Sequence, residues 1–113
     1  MENCIFCKIA AKEIPSTIVY EDEYIIAFRD LDPQAPEHIL VIPRKHIPRV
    51  EVLTSEENEL MGRLLVAARH IADGLGLKKG YRLVINNGPD AGQAVEHIHL
   101  HLLGGRTFSW PAG

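Results

Sequence analysis

The chain has 113 residues, 46% hydrophobic and 24% charged, with a formal net charge of -3 at pH 7. This is the size and composition of one folded domain, 1–113, that buries about two-thirds of its surface without a disulfide scaffold. There is no dense basic face for duplex DNA, no apolar run nears the ~20 residues of a membrane span, and Met1-Glu2-Asn3-Cys4 is no secretory leader. The expectation is no DNA partner, no membrane partner and a cytoplasmic location.

Asn3 is placed to cap a short helix over Cys4–Lys12, with Ile5, Phe6 and Ile9 on its apolar face and Pro15 as its stop. Thr17–Glu21 and Tyr24–Arg29 are rich in β-branched and aromatic residues and read as two strands, joined by a tight hairpin at Asp22-Glu23. Asp30–Glu37, with Pro33 and Pro36, reads as a loop, and His38–Ile42 as a third strand ended by Pro43. Thr54 and Glu57 have capping-box spacing. Leu60, Leu64, Ala67, Ala68, Ile71 and Leu75 then recur at helical spacing up to Gly76, which makes the one long helix. Tyr81–Asn86 is a fourth strand, Asn87–Ala94 a loop, and Val95–Leu103 a fifth strand ended by Gly104-Gly105. The order predicts an α+β domain: five strands in a mostly antiparallel sheet, one short and one long helix, and helix covering one sheet face.

The segment with most chemistry is His97-Ile98-His99-Leu100-His101-Leu102-Leu103. On a strand, period two puts His97, His99 and His101 on one face and the apolar residues on the other. Same-face neighbours stand ~6.8 Å apart, so one ion does not gather all three imidazoles from a regular strand. Titrating near neutrality, the row suits acid, base and nucleophile roles better. Cys4-x-x-Cys7 leaves three readings open: a redox pair, two buried thiols, or half of a zinc site. No strand precedes the pair, which argues against the redox reading. A P-loop is excluded by the absence of its signature, and Gly88–Gly92 is too short for a dinucleotide fingerprint.

The run His-Ile-His-Leu-His-Leu-Leu resembles the histidine triad (HIT) motif, in which three His alternate with apolar residues. Cys4–Ile9, Glu13-Ile14-Pro15, Ala27–Asp30, His38–Pro43, Lys45-His46-Ile47, Asn86–Gly88 and Ala91–Gln93 look like the rest of that family. Leu103–Arg106 and Trp110–Gly113 resemble its Hint branch, the histidine triad nucleotide-binding proteins. The resemblance implies hydrolysis of a purine nucleoside 5′-phosphoramidate to AMP and an amine. His99 would be the nucleophile, His101 the proton donor to the leaving nitrogen, and His97 the residue that orients the row.

By the same resemblance Asp30 would hold the ribose hydroxyls, though on its own it is also an ordinary loop cap. Asn86, Gly92 and Ala94 match phosphate-binding positions, and Ile5, Phe6, Ile9, Phe28 and Leu31 would wall the base pocket. Ala94 departs from the Ser that many Hint proteins carry, and Glu96 from a common apolar residue. Bacterial HIT proteins with this Cys pair imply a structural zinc site at Cys4, Cys7, His46 and His97. His38 and His70 read as structural. The branch also implies a homodimer with one ten-stranded sheet. The alternatives are a dinucleoside polyphosphate hydrolase and a non-catalytic adenosine-nucleotide-binding protein.

Overall fold

The computed structural model describes residues 3–113. Its regular elements are α1 (Ile5–Ala10), β1 (Ile18–Glu21), β2 (Ile25–Arg29), β3 (Glu37–Pro43), α2 (Asn58–Gly74), β4 (Tyr81–Val84) and β5 (Leu100–Gly104). The strands form one sheet in the order β1-β2-β3-β5-β4, and every pairing is antiparallel. The α+β expectation holds, with β3 and β5 side by side at the centre of the sheet.

α1 starts one residue later than the Asn3 cap implies. Cys4 is the extended N-cap residue, and its Sγ accepts the Cys7 N–H. The helix ends well before Pro15, in a left-handed turn at Lys12 (φ 63°) whose N–H donates to Ile9 O. The first hairpin needs no glycine because Asp22 supplies the turn chemistry: its Oδ1 accepts the N–H groups of Tyr24 and Ile25, both at 2.8 Å. The capping box is present at Thr54 and Glu57, and a 3-10 turn, Ser55–Glu57, leads into α2.

Period two along the strands divides the core in two. Ile25, Ala27, Ile39, Val41, Leu100 and Leu102 face Leu64, Ala67, Ala68 and Ile71 of α2. Ile26, Phe28, Leu40 and Ile42 face the other way, against Phe6 and Ile9 of α1. The sheet is therefore covered on both faces, not one. The fold-back of α1 closes the side from which the histidines project.

Two strand ends also need correcting. β4 stops at Val84 instead of Asn86, and β5 begins at Leu100 instead of Val95. The ladder between them ends at the pair Val84↔His101. Beyond it the chain bonds elsewhere: Ile98 N–H donates to Ile47 O at 2.7 Å, and Asn87 Oδ1 accepts the Val50 N–H at 2.7 Å. The Gln93 carboxamide accepts the Gly88 N–H and donates to the carbonyls of Pro48 and Val95. His97 and His99 thus sit on an irregular approach to β5, and only His101 is a strand residue.

Candidate active site and metal centre

His99 is 6% exposed, and its ring packs edge-on against Phe6 with centroids 5.1 Å apart. Its Nδ1 lies 2.7 Å from the carbonyl oxygen of His97. A carbonyl only accepts, so Nδ1 carries the proton and Nε2 keeps its lone pair. Among the described residues Nε2 has no hydrogen-bond partner, and no buried side-chain nitrogen is left unsatisfied, so Nε2 opens to solvent. The His101 ring stands next to it, centroids 5.1 Å apart.

A chain of directed hydrogen bonds settles the state of His101. The Gln34 backbone N–H, which only donates, lies 3.0 Å from His38 Nδ1. His38 therefore carries its proton on Nε2, which is 2.9 Å from His101 Nδ1. His101 accepts there and carries its own proton on Nε2. Asp30 Oδ2 lies 3.5 Å from His38 Nε2 and adds a negative charge to this end of the row. Burial pushes His101 down to about 4, helped by His99 and His38 and opposed by Asp30. Burial likewise lowers His38, against Asp30 and Asp32. Both rings are neutral at pH 7.

The His97 ring turns away from this row. It is fully buried, and its Nε2–H donates to the Pro43 carbonyl at 2.8 Å. That leaves the Nδ1 lone pair 3.3 Å from Cys4 Sγ and 3.6 Å from Cys7 Sγ, while His46 Nδ1 is 3.3 Å from Cys7 Sγ. The four donor atoms lie within 4.8 Å of one another. Zn–S bonds of about 2.3 Å and Zn–N bonds of about 2.1 Å at tetrahedral angles put S and N about 3.6 Å apart, so the set fits a four-coordinate zinc. The Pro43 carbonyl supplies the outer hydrogen bond that leaves Nδ1 free for a metal. Burial, reinforced by Cys4, pushes the Cys7 thiol up to about 11, and a bound cation reverses that tendency. His97 is thus a node between two groups: its ring belongs to the thiol cluster, and its carbonyl orients His99.

The remaining expected residues divide. Phe6, Ile9 and Phe28 join the buried cluster under the histidines. Ile5 is 47% exposed and Leu31 98% exposed, and neither joins it. Asp30 is a loop cap, its Oδ1 accepting the Asp32 N–H at 2.8 Å, while its second oxygen faces His38. Asn86 is half-buried just past β4. Gly92 has φ 84°, a left-handed geometry that bulkier residues avoid. Ala94 is exposed and, with Cys4, Ile5, His46, Val95 and Glu96, lines a cavity of about 670 Å³. Glu96 closes a two-pronged ion pair with Arg49, at 2.7 and 2.9 Å.

His38, read from sequence as structural, is brought into the site by its hydrogen bond to His101. Its signal was parity: His38, Leu40 and Ile42 share a face of β3, and the register Leu40↔His101 puts that face under the triad. Gln34 carried no signal, because it acts through its backbone.

The pattern of the HIT domain family matches residues 11–108. A crystal structure of a HIT family hydrolase from Legionella pneumophila superimposes with a TM-score of 0.96 at 53% identity, covering 98% of this chain and 100% of that one. A 14 kDa zinc-binding protein from Zea mays is 54% identical over 111 residues, 96% of this chain and 87% of that protein. A histidine triad nucleotide-binding protein from Candida albicans superimposes with a TM-score of 0.83 at 31% identity, covering 98% of this chain and 85% of that one. On its sequence pattern, its fold and the extent of these matches, the chain belongs to the HIT domain family.

Proposed function

We propose that this protein is a Hint-type purine nucleoside 5′-phosphoramidate hydrolase that works through a nucleotidyl-histidine. The observation that carries the reading is the paired state of two neighbouring imidazoles. His99 presents a lone pair on Nε2, because Nδ1–H is held by the His97 carbonyl, and His101 presents an N–H, because His38 donates to its Nδ1. A nucleophile beside a hydrogen-bond donor suits displacement of an amine from phosphorus.

In the first step His99 Nε2 attacks the α-phosphorus and the P–N bond breaks toward the amine. The amine nitrogen takes the electron pair and a proton from solvent, with His101 Nε2–H hydrogen-bonded to it as it leaves; His101, a neutral imidazole, keeps its own proton. Water then attacks the nucleotidyl-histidine, its proton goes to solvent, and AMP leaves with His99 restored. The phosphate oxygens are assigned to Asn86 and to the exposed, left-handed turn at Gly92, whose Ala91, Gly92 and Gln93 N–H groups are given to the Gly88 and Pro89 carbonyls before substrate binds. Asp30 holds the ribose, while Phe6, Ile9 and Phe28 give the base an apolar floor, with Ile5 and Leu31 at its open rim.

Cys4, Cys7, His46 and His97 would hold zinc as a closed structural set with no open position for substrate. Bound there, the ion would supply cross-linking of α1 to the triad segment, not reaction chemistry. The protein is read as a homodimer, because β4 is an edge strand, Leu83 and Ile85 at that edge are 38% and 39% exposed, and Trp110 is 84% exposed. Sedimentation analysis at micromolar concentration tests this, and a monomer refutes it.

The test of activity is release of AMP from adenosine 5′-monophosphoramidate by zinc-supplemented wild type and His99→Ala. Turnover confined to the wild type supports the reading. Faster cleavage of diadenosine polyphosphate than of the phosphoramidate would favour a dinucleoside polyphosphate hydrolase. AMP binding without turnover of either would leave a nucleotide-binding module.

A further inference from the structure

The Gly104-Gly105-Arg106 turn at the end of β5 touches neither His99 nor the thiol cluster, yet it is built against the loop that leads into β3. Gly105 has φ 90°, and a Cβ there would lie 2.9 Å from Pro36 Cβ. Only glycine lets the turn press so closely on residues 34–36. The approach delivers the Arg106 guanidinium to one atom: Nε and Nη2 both donate to the Gln34 carbonyl, at 3.2 and 3.1 Å. Nη1 donates to Thr107 O at 3.1 Å, and the guanidinium lies over the Phe108 ring at 4.2 Å, so its orientation is fixed from two further directions.

Gln34 is the residue whose N–H meets His38 Nδ1. Both its main-chain polar groups are therefore committed, the N–H to the relay and the C=O to Arg106. Neutral imidazole has two tautomers, and a pair of hydrogen-bonded imidazoles has two directions. With the Gln34 N–H in place, both rings carry their protons on Nε2. Without it, His38 is free to carry its proton on Nδ1 and to accept from His101, and His101 would then show its neighbour a lone pair in place of an N–H. A single peptide donor thus selects the direction of the two-histidine chain.

We propose that Arg106 is a positioning residue for His101: by gripping the Gln34 carbonyl it keeps the Gln34 N–H on His38, and so keeps the His101 proton on Nε2. The link to amine release rests on the hydrolase reading above; the tautomer itself does not. Lysine is no substitute, because a point ammonium lacks the fork that reaches one oxygen with two N–H groups while stacking on Phe108.

The test uses zinc-loaded, ¹⁵N-labelled protein. Long-range proton–nitrogen correlation spectra report which ring nitrogen of His38 and His101 is protonated. In the wild type both carry the proton on Nε2. In Arg106→Ala a measurable share of His101 moves to the Nδ1–H form, Arg106→Lys is intermediate, and Thr107→Ala matches the wild type. Turnover of the phosphoramidate falls about tenfold in Arg106→Ala, the scale of one hydrogen bond lost to the leaving group, while AMP affinity stays within about twofold. Arg106→Met, which keeps the bulk and removes every donor, carries the same test if the alanine variant does not fold. A wild-type tautomer pattern in Arg106→Ala or Arg106→Met overturns the proposal, whatever happens to turnover. A wild type without phosphoramidate turnover overturns the hydrolase reading instead, and the tautomer comparison still decides the role of Arg106.

Discussion

The two ends of the histidine row are held by opposite chemistry. At the His97 end four donor atoms of two thiols and two imidazoles converge, and the ring is buried with its Nε2–H on a carbonyl. At the His101 end nothing but directed hydrogen bonds sets the ring, through His38 and one backbone N–H. The first end suits a rigid anchor, since a metal set is closed and geometrically exact. The second suits a fixed hydrogen-bond donor, since one peptide N–H selects the direction of its bonds. His99 stands between them, its Nδ1 tied to the anchor and its ring beside that of His101.

The largest effect expected is on His99 itself. His99→Ala lowers AMP release by at least about 10⁴-fold, because loss of a covalent nucleophile removes the pathway. AMP binding, measured by calorimetry, survives. A modest loss of rate would break the comparison by making His99 a spectator.

Anchor and relay are separated by their response to chelation. Purified protein is expected to hold one zinc per chain by elemental analysis. Stripping it is expected to lower Tm by roughly 15 °C, about 4 kcal/mol if free zinc had stood near 1,000-fold above Kd. Cys7→Ala abolishes that dependence. Unchanged Tm on chelation would make the cluster two buried thiols and two imidazoles.

At the other end, His38→Ala cuts kcat about 10²-fold with little change in AMP affinity. His38→Gln, which keeps an acceptor for Gln34 and a donor for His101, recovers part of it. Loss of binding in place of rate would move His38 from the relay to the pocket wall.

Acid sharpens the contrast further. His101 titrates at about 4 when folded, against 6.5 when free. Between those values the unfolded chain takes up the proton first, so stability held above pH 6.5 is lost as pH falls toward 4. His38 and His97, also lowered, act in the same direction. Thermal unfolding from pH 7.5 to 4.5 should show Tm falling, and falling less in His101→Gln. The smallest effect is at the rim: Ala94→Ser adds one donor, worth about 1 kcal/mol, and raises phosphoramidate turnover by about tenfold at most.

Much of this was legible before the structure. Apolar parity placed Ile25, Ala27, Ile39, Val41 and the α2 stripe in one core, and the His-x-His-x-His run with Cys4-x-x-Cys7 marked both clusters. The same parity misled at Val95–His99, where alternation continues past the end of the hydrogen-bonded ladder. Alternation reports which side chains are buried. It does not report which backbone they are bonded to, and there the partner is Ile47 in a loop.

The residue types, their order and their spacing determined the family and the sheet and singled out His99 as the proposed nucleophile, because hydrophobic period and local capping act over a few neighbouring positions. Tertiary structure alone decided which imidazole meets which partner. His38 reaches His101 across 63 positions, Cys4 reaches His97 across 93, and Arg106 reaches Gln34 across 72. Those meetings depend on sheet register and on α1 folding back across it. Their distances in turn fix which ring nitrogen holds each proton, which no property of a single residue contains.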